Sequence, residues 1–293
     1  MSQLLFIKER IKSITSIYKV TQAMELVTKT KVNKIRQNAN CTKNYHQSFY
    51  KLFTNVANKY QKQYFSNISK NQLPPKKYAL VFLSQKGFCG NFNEKVLGKL
   101  LIRLTPFDLA TNIELYLIGK KTSKWTSILK RPFKHLAALE KNYLQFFQPL
   151  IQQLTQEILS GENIEVYFIY NEFFSVLQQT PTIKQYFPLE KPKTKINLEF
   201  IFEPTIDNLF KSLLKSYFES SIEQVYCESL AGEYCSRLIN MKNANDNASI
   251  MLRNLNLLYN KTRQMKITQE LSEIVSAFDV LKLIKEKQTH LEV

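Results

Sequence analysis

The chain has 293 residues, of which 44% are hydrophobic, enough to bury a core in one large or two ordinary domains. This composition excludes a disordered chain. Four cysteines, Cys41, Cys89, Cys227 and Cys235, show neither CxxC spacing nor a nearby histidine cluster. They predict no zinc site and no disulfide framework, and they favour a reducing cytosolic setting. No apolar run approaches the roughly 18 residues of a membrane span, so we expect neither a signal peptide nor a membrane anchor.

The formal net charge of +17 is concentrated at the amino-terminal end of the chain. Residues 1–73 carry 13 Lys and Arg against two acidic residues, a net charge of +11, whereas residues 205–293 carry 11 of each sign. Such a basic stretch is typical of a solvated helix face, of a nucleic-acid or anionic-membrane interface, or of a surface that binds an acidic protein. Charge alone leaves these alternatives open.

The first predicted element is a long helix within residues 1–73. Its apolar positions recur at intervals of three and four residues, the spacing of a coiled-coil seam. These positions are Leu4, Ile7, Ile11, Ile14 and Tyr18. We predict that the helix ends near Tyr60, because the residues from Tyr64 to Asn71 are mixed and polar.

The next predicted element is a compact insert over residues 74–204, which contains all nine prolines. Apolar runs predict three strands, at Lys77–Ser84, Ile113–Ile118 and Glu165–Tyr170. The segments between and before them predict helices at Asn93–Leu104, Thr122–Leu129 and Leu139–Leu159. Strands that alternate with helices indicate a small Rossmann-like α/β domain with a mostly parallel sheet.

The last predicted element is one unbroken helix within residues 205–293, where there is no proline and the single glycine is Gly232. A second seam follows the same three-and-four spacing, at Met241, Ala248, Leu252, Leu255 and Tyr259, and Asn245 interrupts it. The predicted fold class is therefore α+α/β. A long antiparallel coiled coil of the N- and C-terminal helices (1–73 and 205–293) carries the inserted α/β domain (74–204).

The turn Gly87-Phe-Cys-Gly90 after the first predicted strand is where a doubly wound fold holds phosphates. The chain lacks both GxGxxG and GxxxxGK[ST], so we interpret the turn as a tight strand-to-helix connection. Cys89 is a weak candidate nucleophile, because none of the three histidines shows a motif that links it to this thiol. The residues predict a non-enzyme with no cofactor and no metal.

Nine segments of the chain form a recognisable set. In the C-terminal helix they are Ser229–Glu233, Met241–Ala248, Leu258–Gln264 and Ile267–Ser276. In the N-terminal helix they are Arg10–Ile14 and Lys19–Val27, and in the insert Ser84–Gly90, Tyr170–Phe173 and Pro181–Ile183. Together these segments resemble the gamma subunit of the F-type ATP synthases, and the C-terminal ones match that family in both order and spacing.

The resemblance implies a central stalk whose paired helices enter a hexameric ring of alpha and beta subunits, with the α/β domain at the foot. Rotation of this shaft would be coupled to the conformational cycle of the catalytic beta subunits, so the chain itself would have no active site. It implies further partners, an epsilon-type subunit and a membrane c-ring, and no nucleic acid. We expect a cytoplasmic protein, peripheral to the cell membrane through its complex.

The resemblance also places two sets of residues against the ring. The first set is Arg263, Gln264, Thr268, Gln269 and Glu270, and the expected opposing section of the first helix supplies Lys19, Ala23, Met24 and Glu25. A third set, expected to face an acidic lever on the beta subunits, is Lys29, Lys31, Lys34 and Arg36. The residues from Lys282 to Val293 are expected to lengthen the shaft tip.

Three alternatives remain open from the sequence. The chain could be the rotor of an F-type-like ATPase motor that is not coupled to a proton channel, because the upper shaft would look the same. It could be a basic coiled-coil protein that binds nucleic acid or acts as an adaptor through residues 1–73. A nucleotide-using enzyme built on residues 77–190 is the third alternative.

Overall fold

The computed structural model of the chain describes residues 3–68, 75–107, 113–120, 133–136, 143–189 and 206–289. The predicted short helix Thr122–Leu129 lies outside these residues. In chain order the elements are α1 Gln3–Ile68, β1 Lys76–Phe82, α2 Phe92–Phe107, β2 Ile113–Ile118, β3 Lys134–Leu136, α3 Tyr143–Leu159, β4 Ile164–Phe173, β5 Gln179–Phe187 and α4 Ile206–Thr289. No helix in this described part combines the length and apolarity that a membrane crossing requires.

The two long helices α1 and α4 were both predicted, but the predicted end of α1 is wrong. Helix α1 continues to Ile68 and does not end near Tyr60. The polar residues that suggested an end do not break a helix, because neither proline nor glycine occurs before Pro74. Helix α4 runs from Ile206 to Thr289, as the absence of proline predicts.

The sheet has five strands in the order β3-β2-β1-β4-β5. Strand β1 lies at the centre and pairs in parallel with both β2 and β4, and β2 pairs in parallel with β3. The predicted mostly parallel sheet is therefore confirmed, with strand β5 as its antiparallel edge. Strands β1, β2 and β4 correspond to the three predicted strands.

Strands β3 and β5 were missed by the sequence analysis. Strand β5 contains Pro181 and is mostly polar from Gln179 to Gln185, so it shows neither the apolar run nor the strict alternation that predicts a strand. An edge strand tolerates proline, because it has one unpaired side. Strand β3 has three residues, too few for any periodicity to appear.

The chain folds into two compact units. Unit 1 comprises the described residues of Met1–Leu26 and Met241–Val293, and unit 2 comprises Val27–Asn240. In unit 1 every residue of the two predicted seams has reduced exposure, and Ile7, Met241 and Ala248 are buried. In unit 2, buried residues continue along α1 at intervals of seven, at Val32, Ala39 and His46.

The core of unit 2 lies on both faces of the sheet. One face packs against α2 through residues such as Val81 and Leu97. The other face packs against α3, α4 and α1, and Phe53 of α1 is a central member with no exposed surface. Its ring stacks on Tyr217 with the centroids 4.8 Å apart and on Phe210 at 5.8 Å. Aromatic packing therefore joins the N-terminal and C-terminal helices here.

His46 of α1 is buried in this same aromatic region. Its Nδ1 lies 3.2 Å from the hydroxyl of Ser220 on α4, and its ring lies 5.8 Å from that of Tyr217 and 6.1 Å from that of Tyr186. Removal from water disfavours the imidazolium, so burial lowers the pKa of His46 to about 4.

We expect His46 to make unit 2 less stable in mild acid. The unfolded chain takes up this proton near pH 6.5 and the folded chain only near pH 4, so stability is lost as the pH falls through that interval. The expected loss is about 2 kcal/mol at pH 5 relative to pH 8. Urea unfolding of the wild type and of His46→Gln at both pH values measures it. Parallel pH dependence in the two proteins would refute the assignment.

Candidate functional site

The turn between β1 and α2 lies at the point where a doubly wound sheet binds its ligands, next to the carboxyl ends of β1 and β4. In this chain a side chain of α4 occupies that position. The carboxylate of Glu233 accepts hydrogen bonds from the backbone N–H groups of Gln85, at 2.8 Å, and Lys86, at 3.0 Å. The Glu233 carboxylate thus lies where a phosphate would accept hydrogen bonds from the same backbone N–H groups.

The turn is held to α4 by a further set of contacts. Arg237 donates from Nε to the carbonyl of Gly87 at 2.9 Å and from Nη2 to the carboxylate of Glu233. Ser236 donates to the carbonyl of Cys89 at 3.1 Å. The side chains of the Glu233 and Arg237 ion pair are only 3% and 6% exposed, so the pair is shielded from solvent.

Glycines lie where the turn and its first helix touch α4. Gly90 has a φ of 58°, and a Cβ at this position would lie 2.6 Å from the side-chain nitrogen of Asn240. Gly232 of α4 faces the ring of Phe92, which would lie 3.3 Å from an added Cβ. The two glycines let the turn and α4 approach each other closely.

This arrangement fills the crevice in which a nucleotide would bind. The predicted tight turn is what the structure shows, and its donors are already satisfied by Glu233. Cys89 is buried, and burial raises the pKa of its thiol, which disfavours the nucleophilic thiolate. Within the described residues, no group of three or more His, Cys, Asp or Glu could hold a metal ion.

The residues expected to contact a ring lie on both units. Lys19, Ala23 and Met24 are exposed in unit 1, and Met24 retains 40% of its surface. Also exposed in unit 1 are Arg263, Gln264, Thr268, Gln269 and Glu270. In unit 2, the exposed members are Lys29, Lys31, Lys34 and Arg36. Exposure leaves these side chains accessible to a partner.

Glu25 differs from the other candidates, because it lies half-buried on the seam of α1. Its carboxylate accepts a hydrogen bond from Nδ2 of Asn245 at 3.2 Å. This contact fixes which sections of α1 and α4 face each other in unit 1. A polar pair inside an apolar seam is a device that specifies register.

The expectation that residues 19–25 lie opposite residues 263–270 is wrong. Glu25 faces Asn245, and Arg263 lies about 27 Å further along α4 at roughly 1.5 Å per residue. The two candidate sets are therefore separate surfaces along unit 1.

The segment of α4 from Arg263 to Leu281 is exposed at every residue. Five large apolar residues recur there at intervals of four and three and share one face. They are Ile267, Leu271, Ile274, Phe278 and Leu281, each between 48% and 67% exposed. This apolar face was not among the contact surfaces predicted from the sequence.

The two units define a class of protein with two long helices, α1 and α4, and a doubly wound α/β domain. A family model described as ATP synthase matches residues 3–281. The ATP synthase gamma chain of Fusobacterium nucleatum subsp. nucleatum is 30% identical over 94% of this chain and 98% of its own length. The ATP synthase gamma chain of Ruthia magnifica is also 30% identical, over 92% of this chain and 96% of its own length. The chain belongs to the ATP synthase gamma chain family.

The fold agrees with solved structures of the same kind. One similar chain comes from a cryo-EM structure of the Euglena gracilis mitochondrial ATP synthase, described as OSCP/F1/c-ring in rotational state 3. The TM-score between that chain and this one is 0.58. The two chains are 14% identical, and the likeness covers 95% of this chain and 94% of that one. At this identity the likeness shows the fold alone, and the family rests on the sequence relatives.

Proposed function

We propose that the chain is the central stalk of an F-type ATP synthase and turns inside a ring of alpha and beta subunits. In this proposal α1 and α4 form a long antiparallel coiled coil. The alternation of buried and exposed positions along both seams and the Glu25–Asn245 hydrogen bond support it. Each orientation of the stalk then favours a different conformation of each beta subunit, which couples rotation to ATP synthesis or hydrolysis.

The observation that carries the proposal is the exposed apolar face on α4. A contiguous apolar surface of this kind on a soluble chain marks a site of interaction. Residues 263–281 are exposed on all sides, so a partner that surrounds the helix covers them better than one that binds a single side. The bore of a ring has that geometry.

Two further sets of contacts are inferred, the first from the charge of the chain and the second from its relatives. We infer that Lys29, Lys31, Lys34 and Arg36 meet acidic side chains on the beta subunits, since they are exposed cations on the most basic part of the chain. An epsilon-type subunit and a membrane c-ring would bind at the foot. The chain would then be cytoplasmic and peripheral to the membrane through this complex.

Replacing three candidate contacts at once tests the surface on α4. We expect Arg263→Ala, Gln264→Ala and Glu270→Ala together to lower ATP hydrolysis by the purified complex about tenfold, because a coupling free energy of about 1 to 3 kcal/mol is removed. All three side chains are exposed, so folding should be unaffected. Steady-state hydrolysis and the melting curve of each complex are measured together.

The matched control removes three other exposed side chains of α4, by Arg253→Ala, Asn254→Ala and Asn256→Ala. We expect less than a twofold change in hydrolysis for this control. Equal rates for the two triple variants would show that residues 263–270 are not a special contact, whatever the role of the stalk as a whole.

The composition of the native complex tests the function itself. A tagged chain, isolated from its own cells in mild detergent, should bring with it alpha and beta subunits and a c-ring. Recovery with alpha and beta but without a c-ring would instead favour a motor that is not coupled to a proton channel. Recovery with nucleic acid and no ring would overturn the proposal.

A further inference from the structure

The hairpin that joins β4 and β5 exposes two large apolar side chains at its turn. Phe174 is 58% exposed and Leu177 is 85% exposed. Turns at a protein surface usually carry glycine, proline or small polar residues. Here the turn reads Phe174-Ser-Val-Leu177, so apolar side chains lie where water reaches them. Apolar side chains that are placed together at a surface indicate contact with another molecule.

The backbone of this turn is held by its own hydrogen bonds. The N–H groups of Phe174 and Ser175 both donate to the carbonyl of Gln178, at 3.3 and 3.1 Å. The N–H group of Gln178 donates in return to the hydroxyl of Ser175 at 3.0 Å. A side chain on such a preorganised backbone loses less conformational freedom when it binds than one on a flexible loop.

The other side chains of the turn anchor the hairpin to both long helices within unit 2. Phe173 and Val176 are half-buried and pack against a cluster that includes Cys235 of α4. On α1, Val32 belongs to the same cluster and Ile35 packs against it. The hairpin turn is therefore held beside residues 32–35 of α1.

The section of α1 beside the hairpin is basic. Lys31, Lys34 and Arg36 are exposed there. Lys31 lies one helical turn before Ile35 and on the same face of α1. Burial raises the pKa of Cys235 to about 11, and the charge of Arg36 opposes this rise, so Arg36 also lies near the cluster. The cations and the hairpin turn therefore adjoin each other.

The acidic residues of the adjoining elements do not offset this positive charge. Glu172 of β4 is paired with Lys184, and Glu233 of α4 is paired with Arg237. A partner that complements the surface must therefore place apolar side chains beside carboxylates. An amphipathic helix with an acidic polar face has this arrangement.

We propose that the hairpin turn and residues 31–36 of α1 together bind an acidic amphipathic helix of a ring subunit. The apolar face of that helix covers Phe174 and Leu177, and its carboxylates meet the cations of α1. This inference rests on the proposed function and adds an apolar contact on the hairpin to the charged contact inferred for α1. The chain carries one copy of the surface, so it engages one ring subunit at a time.

Photocrosslinking within the purified complex tests this proposal. Leu177 is replaced by the photoreactive residue p-benzoylphenylalanine, and the crosslinked peptide is identified by mass spectrometry. We expect a ring subunit, joined at a helical segment in which carboxylates flank apolar residues. Crosslinking to a segment without carboxylates, to a protein outside the ring or to nothing would overturn the proposal.

The same preparation separates this inference from the proposed function. A complex that contains the ring and hydrolyses ATP, but gives no crosslink from residue 177 to an acidic helix, contradicts the docking surface alone. A chain that is recovered without ring subunits contradicts the proposed function, and this inference fails with it.

Two sets of substitutions, each made with the crosslinker at position 177, separate the apolar contact from the charged one. Phe174→Ser should lower the crosslinking yield about tenfold, because it removes a large part of the apolar contact. Lys31→Gln together with Arg36→Gln should lower the yield about fivefold, the loss expected from two surface ion pairs. All three side chains are exposed, so the melting curve of the complex should not change.

Matched controls make the same chemical changes elsewhere in unit 2. Leu52→Ser removes an exposed apolar side chain of α1, about 24 Å along the helix from Arg36. Lys211→Gln with Lys215→Gln removes two exposed cations of α4. Both controls should retain the crosslinking yield within a factor of two. Yields that fall equally in the controls and in the test variants would show that the hairpin and residues 31–36 are not the docking surface.

Discussion

Glu233→Ala is expected to lower the free energy of unfolding of unit 2 by about 3 to 5 kcal/mol, which is the cost of leaving a buried charge without its partner. The substitution removes the acceptor of the Gln85 and Lys86 backbone N–H groups. It also leaves the guanidinium of Arg237 buried without its carboxylate. For a unit of this size the thermal midpoint should fall by about 10 °C. Urea and thermal unfolding of the purified chain measure both quantities.

Two further proteins make this result interpretable. Glu162→Ala removes an exposed carboxylate from the same unit and should change the free energy of unfolding by less than about 0.5 kcal/mol. Adding Arg237→Leu to Glu233→Ala should restore part of the loss, because the unpaired charge is then removed as well. A Glu233→Ala protein as stable as Glu162→Ala would show that the turn does not depend on α4.

Phe53→Ala is expected to destabilise unit 2 by a similar amount, about 3 to 5 kcal/mol. Phe53 has no exposed surface and stacks on Tyr217 and Phe210, so its removal opens a cavity between α1 and α4. The free energy of unfolding in urea is the measurement. Since α1 would lose its central aromatic contact with α4, we also expect a lower yield of assembled complex.

The neighbouring residue provides the control for Phe53. Leu52 is 57% exposed, so Leu52→Ala deletes a large apolar side chain from the same turn of α1 without opening a cavity. It should change stability by less than about 0.5 kcal/mol. Phe53→Leu, which keeps most of the volume, should cost less than half of the alanine variant. Similar losses for Leu52→Ala and Phe53→Ala would contradict the packing described here.

The sequence predicted the elements whose signal is local. The three-and-four spacing of Leu4 to Tyr18 and the apolar run Ile113–Ile118 identify a helix and a strand without knowledge of their neighbours. Strand β5 was missed because Pro181 and its polar residues resemble a loop until β4 is beside it. The contact register of α1 and α4 was also mistaken, because seam spacing does not specify which turns face each other.

The candidate site shows the same difference between local signals, which the sequence reveals, and contacts between distant residues, which it does not. The resemblance included Gly232 and Glu233 in the segment Ser229–Glu233, but it gave them no role. Their partners, Phe92 and the Gln85 backbone, are far away in sequence, so no local pattern reveals the contact. The apolar face from Ile267 to Leu281 is recognised only once the exposure of each of its residues is known.

The Glu233 carboxylate has a consequence for how unit 2 responds to metabolites. A group tethered to the same chain competes with any dissolved anion at a very high local concentration, in the millimolar range or above. Cellular phosphate or nucleotide would have to displace it together with the Arg237 contacts. The turn is thereby insulated from the pool of ATP, ADP and phosphate that the catalytic subunits process.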